Sequence, residues 1–91
     1  MSEITTSRQD YRAMLAALDD SALAVRAADD YRRYIDYEAP ADQDMHDDSR
    51  QVAKERGVWD IAESAARKVG RHGRVTQQTI EQMDTRGKGT T

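Results

Sequence analysis

The sequence has no cysteine and no phenylalanine, and it contains one proline and one tryptophan among 91 residues. The lack of cysteine excludes a disulfide framework, a thiolate zinc site and a thiol nucleophile. No stretch approaches the ~18 consecutive apolar residues of a membrane-spanning helix. The first part of the chain also lacks an apolar run behind a basic leader. We therefore expect a soluble, cytoplasmic protein that does not bind membranes.

Strand patterns are also missing, because β-branched residues nowhere alternate with polar ones and no Asn-Gly hairpin turn occurs. Apolar residues recur instead at the three- and four-residue spacing of helices. The sequence thus predicts an all-α fold, a small bundle of about four helical segments with a disordered tail. We expect residues 1–85 to form a single helical domain and residues 86–91 a flexible polar tail. The approximate segments are 7–18, 21–38, 49–70 and 76–85.

The sequence does not decide two of the boundaries between these segments. Asp19 and Asp20 are good N-cap residues, which favours a break after residue 18, but one helix over residues 7–38 is the alternative. Gly57 either lies within the third segment or ends a shorter helix as its C-cap. Thr76 is the predicted N-cap of the last helix.

The stretch APADQDMHDD, residues 39–48, is predicted to be an acidic loop. Pro40 disfavours the helical conformation at the residue before it, so the second helix should end there. Asp48 and Gln51 have the spacing of a capping box, which predicts that the next helix opens at residue 49 or 50.

Large apolar side chains are scarce, since the apolar content is 37% and much of it is alanine. A chain of this length has a modest core, and small domains with thin cores are often stabilised by association. We therefore expect a homo-oligomer as one state of the protein.

Charge is unevenly distributed along the chain. Residues 19–48 carry ten acids against three arginines, whereas residues 49–91 carry nine bases against five acids. The two halves can attract each other within the fold, or they can form a bipolar surface that docks on partners of both signs.

Catalytic and metal patterns are not found. The acids and the histidine of residues 42–48 lack the glycine and the distal glutamate of a calcium loop. Adjacent aspartates on a helix point about 100° apart, so they do not share an acid–base site. His46 and His72 lack the neighbours of a nucleophile relay. We predict no catalytic, cofactor or metal residues, and we expect that the protein is not an enzyme.

The leading hypothesis is a non-catalytic regulator or adaptor that binds a protein partner through an acidic surface. Its arginine-rich, cysteine-free composition would fit a viral or mobile-element accessory protein. The candidate partner surface lies on the second predicted helix and comprises Asp29, Asp30, Arg33, Tyr34, Asp36 and Tyr37.

The alternative is a DNA-binding regulator. Arg67, Lys68, Arg71, His72 and Arg74 lie within eight residues, and no acid occurs between Ser64 and Ile80. Glutamines follow at the predicted start of a helix, and glutamine can read adenine edges in the major groove. The candidate nucleic-acid contacts are Arg67, Lys68, Arg71, Arg74, Gln77, Gln78 and Gln82.

The stretch TQQTIEQMD at Thr76–Asp84 resembles the recognition helix of small helix-turn-helix repressors of the lambdoid phage type, and Ala66–Gly70 resembles the end of the preceding helix. By this resemblance the glutamines would face bases, while Ile80 and Met83 would face the core. The segment RHGRV, residues 71–75, makes the turn longer than in that motif. The pattern is also similar to the last two helices of histone folds and of the AAA+ lid, so it assigns no family.

Overall fold

The computed structural model describes residues 2–84, with side chains from Arg8 onward. This part of the chain contains helices and no strand, which confirms the predicted all-α fold. The predicted tail at 86–91 and the last residue of the fourth segment lie outside the described residues. The helices are α1 (Ser2–Ala17), α2 (Asp20–Tyr37), α3 (Pro40–Arg56), α4 (Trp59–Val69) and α5 (Gln77–Met83).

The chain breaks between α1 and α2, so the alternative of one long helix is wrong. Asp19 is extended, and its carboxylate accepts a hydrogen bond from the backbone N–H of Ala22 at 2.8 Å. This satisfies one of the donors that the first turn of a helix leaves without a partner. The aspartate thus begins a new helix where neither glycine nor proline interrupts the chain.

Residues 39–48 are not a loop, because α3 begins at Pro40 and runs through them. Proline is well tolerated at the first position of a helix, where its missing N–H has no intrahelical partner. Ala39 is the N-cap, and its carbonyl accepts from the N–H of Gln43 at 3.0 Å. Asp42 lies in the first turn, where a negative charge complements the helix dipole. Asp48 therefore lies within a helix and does not cap one.

Gly57 divides the predicted third segment into two helices, which is the second of the two alternatives that the sequence left open. It adopts a left-handed conformation with φ of 76° and ends α3, and its N–H donates to the carbonyls of Ala53 and Lys54. The split raises the number of helices from the predicted four or so to five within residues 2–84. Thr76 caps α5 as predicted, since its hydroxyl accepts from the N–H of Thr79.

Helix α2 is the central element, because it packs against α3, α4 and α5, while α1 packs mainly on α3. Alanines occupy much of the interface, which lets the helix axes approach closely. Leu15, Leu23, Val58 and Ile80 supply the largest fully buried apolar side chains. Val75 and Ile80 both belong to this core, which fixes the entry of α5 onto the bundle.

Candidate functional site: a polar pocket beside the basic segment

The basic segment, residues 67–74, covers the last turn of α4 and most of the loop that leads to α5. Gly70 and His72 both have positive φ, 76° and 60°, so the chain turns sharply there. A Cβ on Gly73 would collide with the backbone carbonyl of Val69, which explains why glycine occupies this position. The loop thus folds back tightly onto the end of α4, with Arg71, His72 and Arg74 exposed and Val75 buried.

All predicted nucleic-acid contact residues are exposed. Arg67 pairs with Glu63 on the same helix at 3.1 Å. Within residues 8–84, Lys68, Arg71 and Arg74 form no ion pair. The exposed set is Arg67, Lys68, Arg71, Arg74, Gln77, Gln78 and Gln82.

The predicted acidic partner surface on α2 is not a single surface. Asp30 is only 1% exposed and accepts a hydrogen bond from the Tyr11 hydroxyl, so its carboxylate is withheld from a partner. Burial raises the pKa of Asp30. Tyr34 is half-buried and stacks on His46, with ring centroids 5.1 Å apart. Periodicity could not reveal this, because the inward direction on α2 depends on where α1 and α3 pack.

Asp36 is also withdrawn from the surface. Its side chain is 3% exposed, and it accepts from Arg32 at 2.8 and 3.2 Å and from the backbone N–H of His72 at 2.8 Å. The hydrogen bond from Arg32, aided by that of His72, lowers the pKa of Asp36 to about 2. Arg32 also donates to the carbonyl of Ala66 at 3.0 Å. The ion pair of Arg32 and Asp36 thus ties α2 to the end of α4 through Arg32 and to the basic segment through Asp36.

The two predicted sites meet in one polar pocket of about 280 Å³. Its walls come from the second half of α2 and from the loop, more than thirty residues later in the chain. The lining residues are Asp29, Arg32, Arg33, Asp36, Tyr37, His72, Gly73 and Arg74. Asp29 pairs with Arg33 at 3.4 Å. The pocket therefore contains three arginines against two aspartates, both of which have basic partners in the fold.

An aromatic pair forms the rim of this pocket. Tyr37 is 63% exposed, and its ring centroid lies 5.4 Å from that of the exposed His72, with the planes at 52°. From the sequence, His72 was expected to be part of the basic run without a role in catalysis, and Tyr37 was expected on an acidic surface. The fold brings the two side chains together beside Arg33 and Arg74.

The chain matches no family model, no curated protein and no solved structure. In the described part, α5 has seven residues, and the loop before it, residues 70–76, is about as long. The similarity to helix-turn-helix repressors is therefore one of local sequence. Ile80 is buried and Met83 packs against the core, as that resemblance implied.

The acids and the histidine of residues 42–48 do not converge on one point. Asp48 is directed inward and is 2% exposed at the side chain, whereas Asp44 and Asp47 are exposed. Among residues whose side chains are described, no group of three histidines, cysteines or carboxylates could hold a metal ion. No described helix is both long and apolar enough to cross a membrane.

Proposed function

We propose that this protein is a small, non-catalytic helical protein that binds nucleic acid through the basic segment. The proposal rests on which charged side chains have partners. Lys68, Arg71 and Arg74 are exposed and form no ion pair among the described residues, whereas the neighbouring carboxylate of Asp36 is buried and accepts hydrogen bonds from Arg32 and His72. Exposed cations on one segment attract the phosphate backbone, and their binding releases condensed counterions.

The alternative of a protein partner on an acidic α2 face has less support. It requires carboxylates that a partner can reach, yet the fold withdraws Asp30 and Asp36 and pairs Asp29 with Arg33. The net charge of −3 belongs to the whole chain, whereas residues 67–74 contain four lysine and arginine residues and no acid. The exposed acids Asp44 and Asp47 lie on α3, outside this segment.

The test is fluorescence anisotropy of a labelled oligonucleotide of random sequence, titrated with the protein at about 50 and about 200 mM salt. With three or four phosphate contacts, affinity should fall by roughly 20- to 150-fold between these conditions. Absence of binding at the lower salt concentration would overturn the proposal.

A matched pair of variants separates the basic segment from net charge. Arg71→Ala should weaken binding to all sequences and reduce the salt slope by about one contact. Lys54→Ala removes the same charge from an exposed site in the last turn of α3, near the beginning of α4, and should leave affinity within about twofold. The proposal is wrong if both variants have the same effect. Gln78→Ala should relax sequence choice only if the glutamines read bases.

A further inference from the structure

We propose that the pocket between α2 and the basic segment receives an unpaired base, which makes single-stranded nucleic acid the preferred ligand. This inference rests on the proposed nucleic-acid function and specifies its substrate class. It starts from Tyr37 and His72, two exposed aromatic side chains whose rings lie 5.4 Å apart at the mouth of a polar pocket.

Tyr37 differs from the other described tyrosines. Tyr11, Tyr31 and Tyr34 are half-buried, and each is engaged by a partner inside the bundle. Tyr37 is the last residue of α2 and is largely exposed, beside the His72 ring at the surface. Exposed aromatic faces between cations are the feature on which proteins stack the bases of single strands.

The surroundings of the pair suit one nucleotide. Arg33 and Arg74 line the same pocket, and both side chains are exposed, so their guanidinium groups can reach phosphates on either side of a stacked base. The volume of about 280 Å³ is slightly below the range of roughly 300–1,000 Å³ for drug-sized ligands, which fits a single base.

A duplex cannot use this arrangement. Its bases are paired and stacked on each other, so none can lie against Tyr37 without being extruded, which costs energy. The backbone of either ligand can still contact the cations of the basic segment. Single strands should therefore gain a stacking contribution that duplexes lack, in addition to the shared electrostatic attraction.

The experiment compares a labelled single strand of about twelve nucleotides with the duplex of the same sequence, by anisotropy at about 50 mM salt. We expect the single strand to bind at least about fivefold more tightly, which is the smallest gain expected from one stacked base. Tyr37→Leu should weaken single-strand binding by roughly 5- to 150-fold, the effect of losing one stacked base. It should change duplex binding by less than about twofold and leave the salt slope unaltered, because the phosphate contacts remain.

Tyr37→Phe supplies the matched control, because it keeps the ring and removes only the hydroxyl. It should retain most of the single-strand affinity, and far-UV circular dichroism should show that both variants keep their helix content. If neither ligand binds at low salt, the proposed function and this inference both fail. If both ligands bind equally with a strong salt dependence, or if Tyr37→Leu weakens both alike, the proposed function stands and the single-strand inference is overturned.

Discussion

Two regions of the molecule use arginine in opposite ways. Between α1 and α3, Arg8 and Arg12 converge on Asp48, with ion-pair distances of 2.9 and 2.8 Å, and that carboxylate is 2% exposed. In the basic segment, Arg71 and Arg74 are exposed and have no ion pair among the described residues. Charge in the first region is committed to holding two helices together, whereas charge in the second remains accessible to a ligand.

The difference shows why the net charge of the sequence is a poor guide to this protein. Several acids in residues 19–48 are withdrawn into ion pairs or hydrogen bonds, and the arginines that pair with them include Arg8 and Arg12 from outside that stretch. Exposed ion pairs contribute little to the free energy of unfolding. Removing one partner of a buried ion pair destabilises the protein strongly, because it leaves the other charge buried and uncompensated. The comparison can therefore be tested by removing charges one at a time.

Asp48→Asn should have the largest effect on the first region. The substitution keeps the shape of the side chain but removes the charge that two arginines share, and we expect a loss of about 2 kcal/mol in the free energy of unfolding. The arginines are about half exposed and can regain water, which keeps the loss below that of a fully buried pair. Urea unfolding measures the change.

Asp47→Asn is the matched control for this prediction. Asp47 is the preceding residue on α3, carries the same charge and is exposed. Its replacement should change stability by less than about 0.5 kcal/mol. Equal effects at the two positions would mean that the α1–α3 contact is not organised by Asp48.

The pH dependence of the free energy of unfolding provides the next test of the interior, because a titratable histidine is buried there. His46 is 8% exposed and stacks on Tyr31 and Tyr34, 5.0 and 5.1 Å away between centroids. Its Nδ1 is buried and has no hydrogen-bond partner among the residues that the structure describes. Burial lowers its pKa, while the nearby charges of Asp47 and Arg50 act in opposite directions. The folded protein therefore binds fewer protons at this site than the unfolded chain.

Stability supplied by neutral His46 is present above the unfolded pKa of about 6.5 and is lost as the pH falls below it, by at most ~1.4 kcal/mol per pH unit. Urea unfolding of the wild type and of His46→Phe between pH 7 and 5 measures this loss. The variant keeps a stacked ring without a titratable nitrogen, so its profile should be flatter. Parallel profiles would assign the pH dependence to another group. Asp36, with a pKa of about 2, loses its stabilising ionisation only below about pH 4.

The sequence predicted best those features that neighbouring residues determine. Asp19, Gly57 and Thr76 end or begin helices through backbone contacts within a few residues. The interpretation failed at α3, where the spacing of Asp48 and Gln51 suggested a helix start. Pro40 already provided one, since proline is compatible with the first helical turn. Two local patterns competed there, and the choice between them required the tertiary partners of Asp48.

The same limit applies to the candidate site. The exposure of the basic residues followed from their density, which no interior could accommodate. The withdrawal of Asp30 and Asp36 did not follow, because the Tyr11 hydroxyl and the His72 N–H that donate to these carboxylates lie 19 and 36 residues away in the sequence. The meeting of Tyr37 with His72 likewise depends on how the loop after α4 folds back. These contacts between elements distant in sequence are the part that one sequence does not determine.

Glu38 offers the smallest and most discriminating test, because it is an exposed acid next to Tyr37 in a left-handed conformation, with φ of 55°. Glycine adopts this conformation without the steric cost that Cβ imposes, so Glu38→Gly should raise the free energy of unfolding by about 0.5–1 kcal/mol. It also removes a negative charge beside the proposed base site, so oligonucleotide affinity should rise slightly. Glu38→Gln removes the charge but retains Cβ, and should reproduce the gain in affinity without the gain in stability. If neither variant alters affinity, the end of α2 lies outside the nucleic-acid interface. The surface available to a nucleic acid would then be limited to the basic segment.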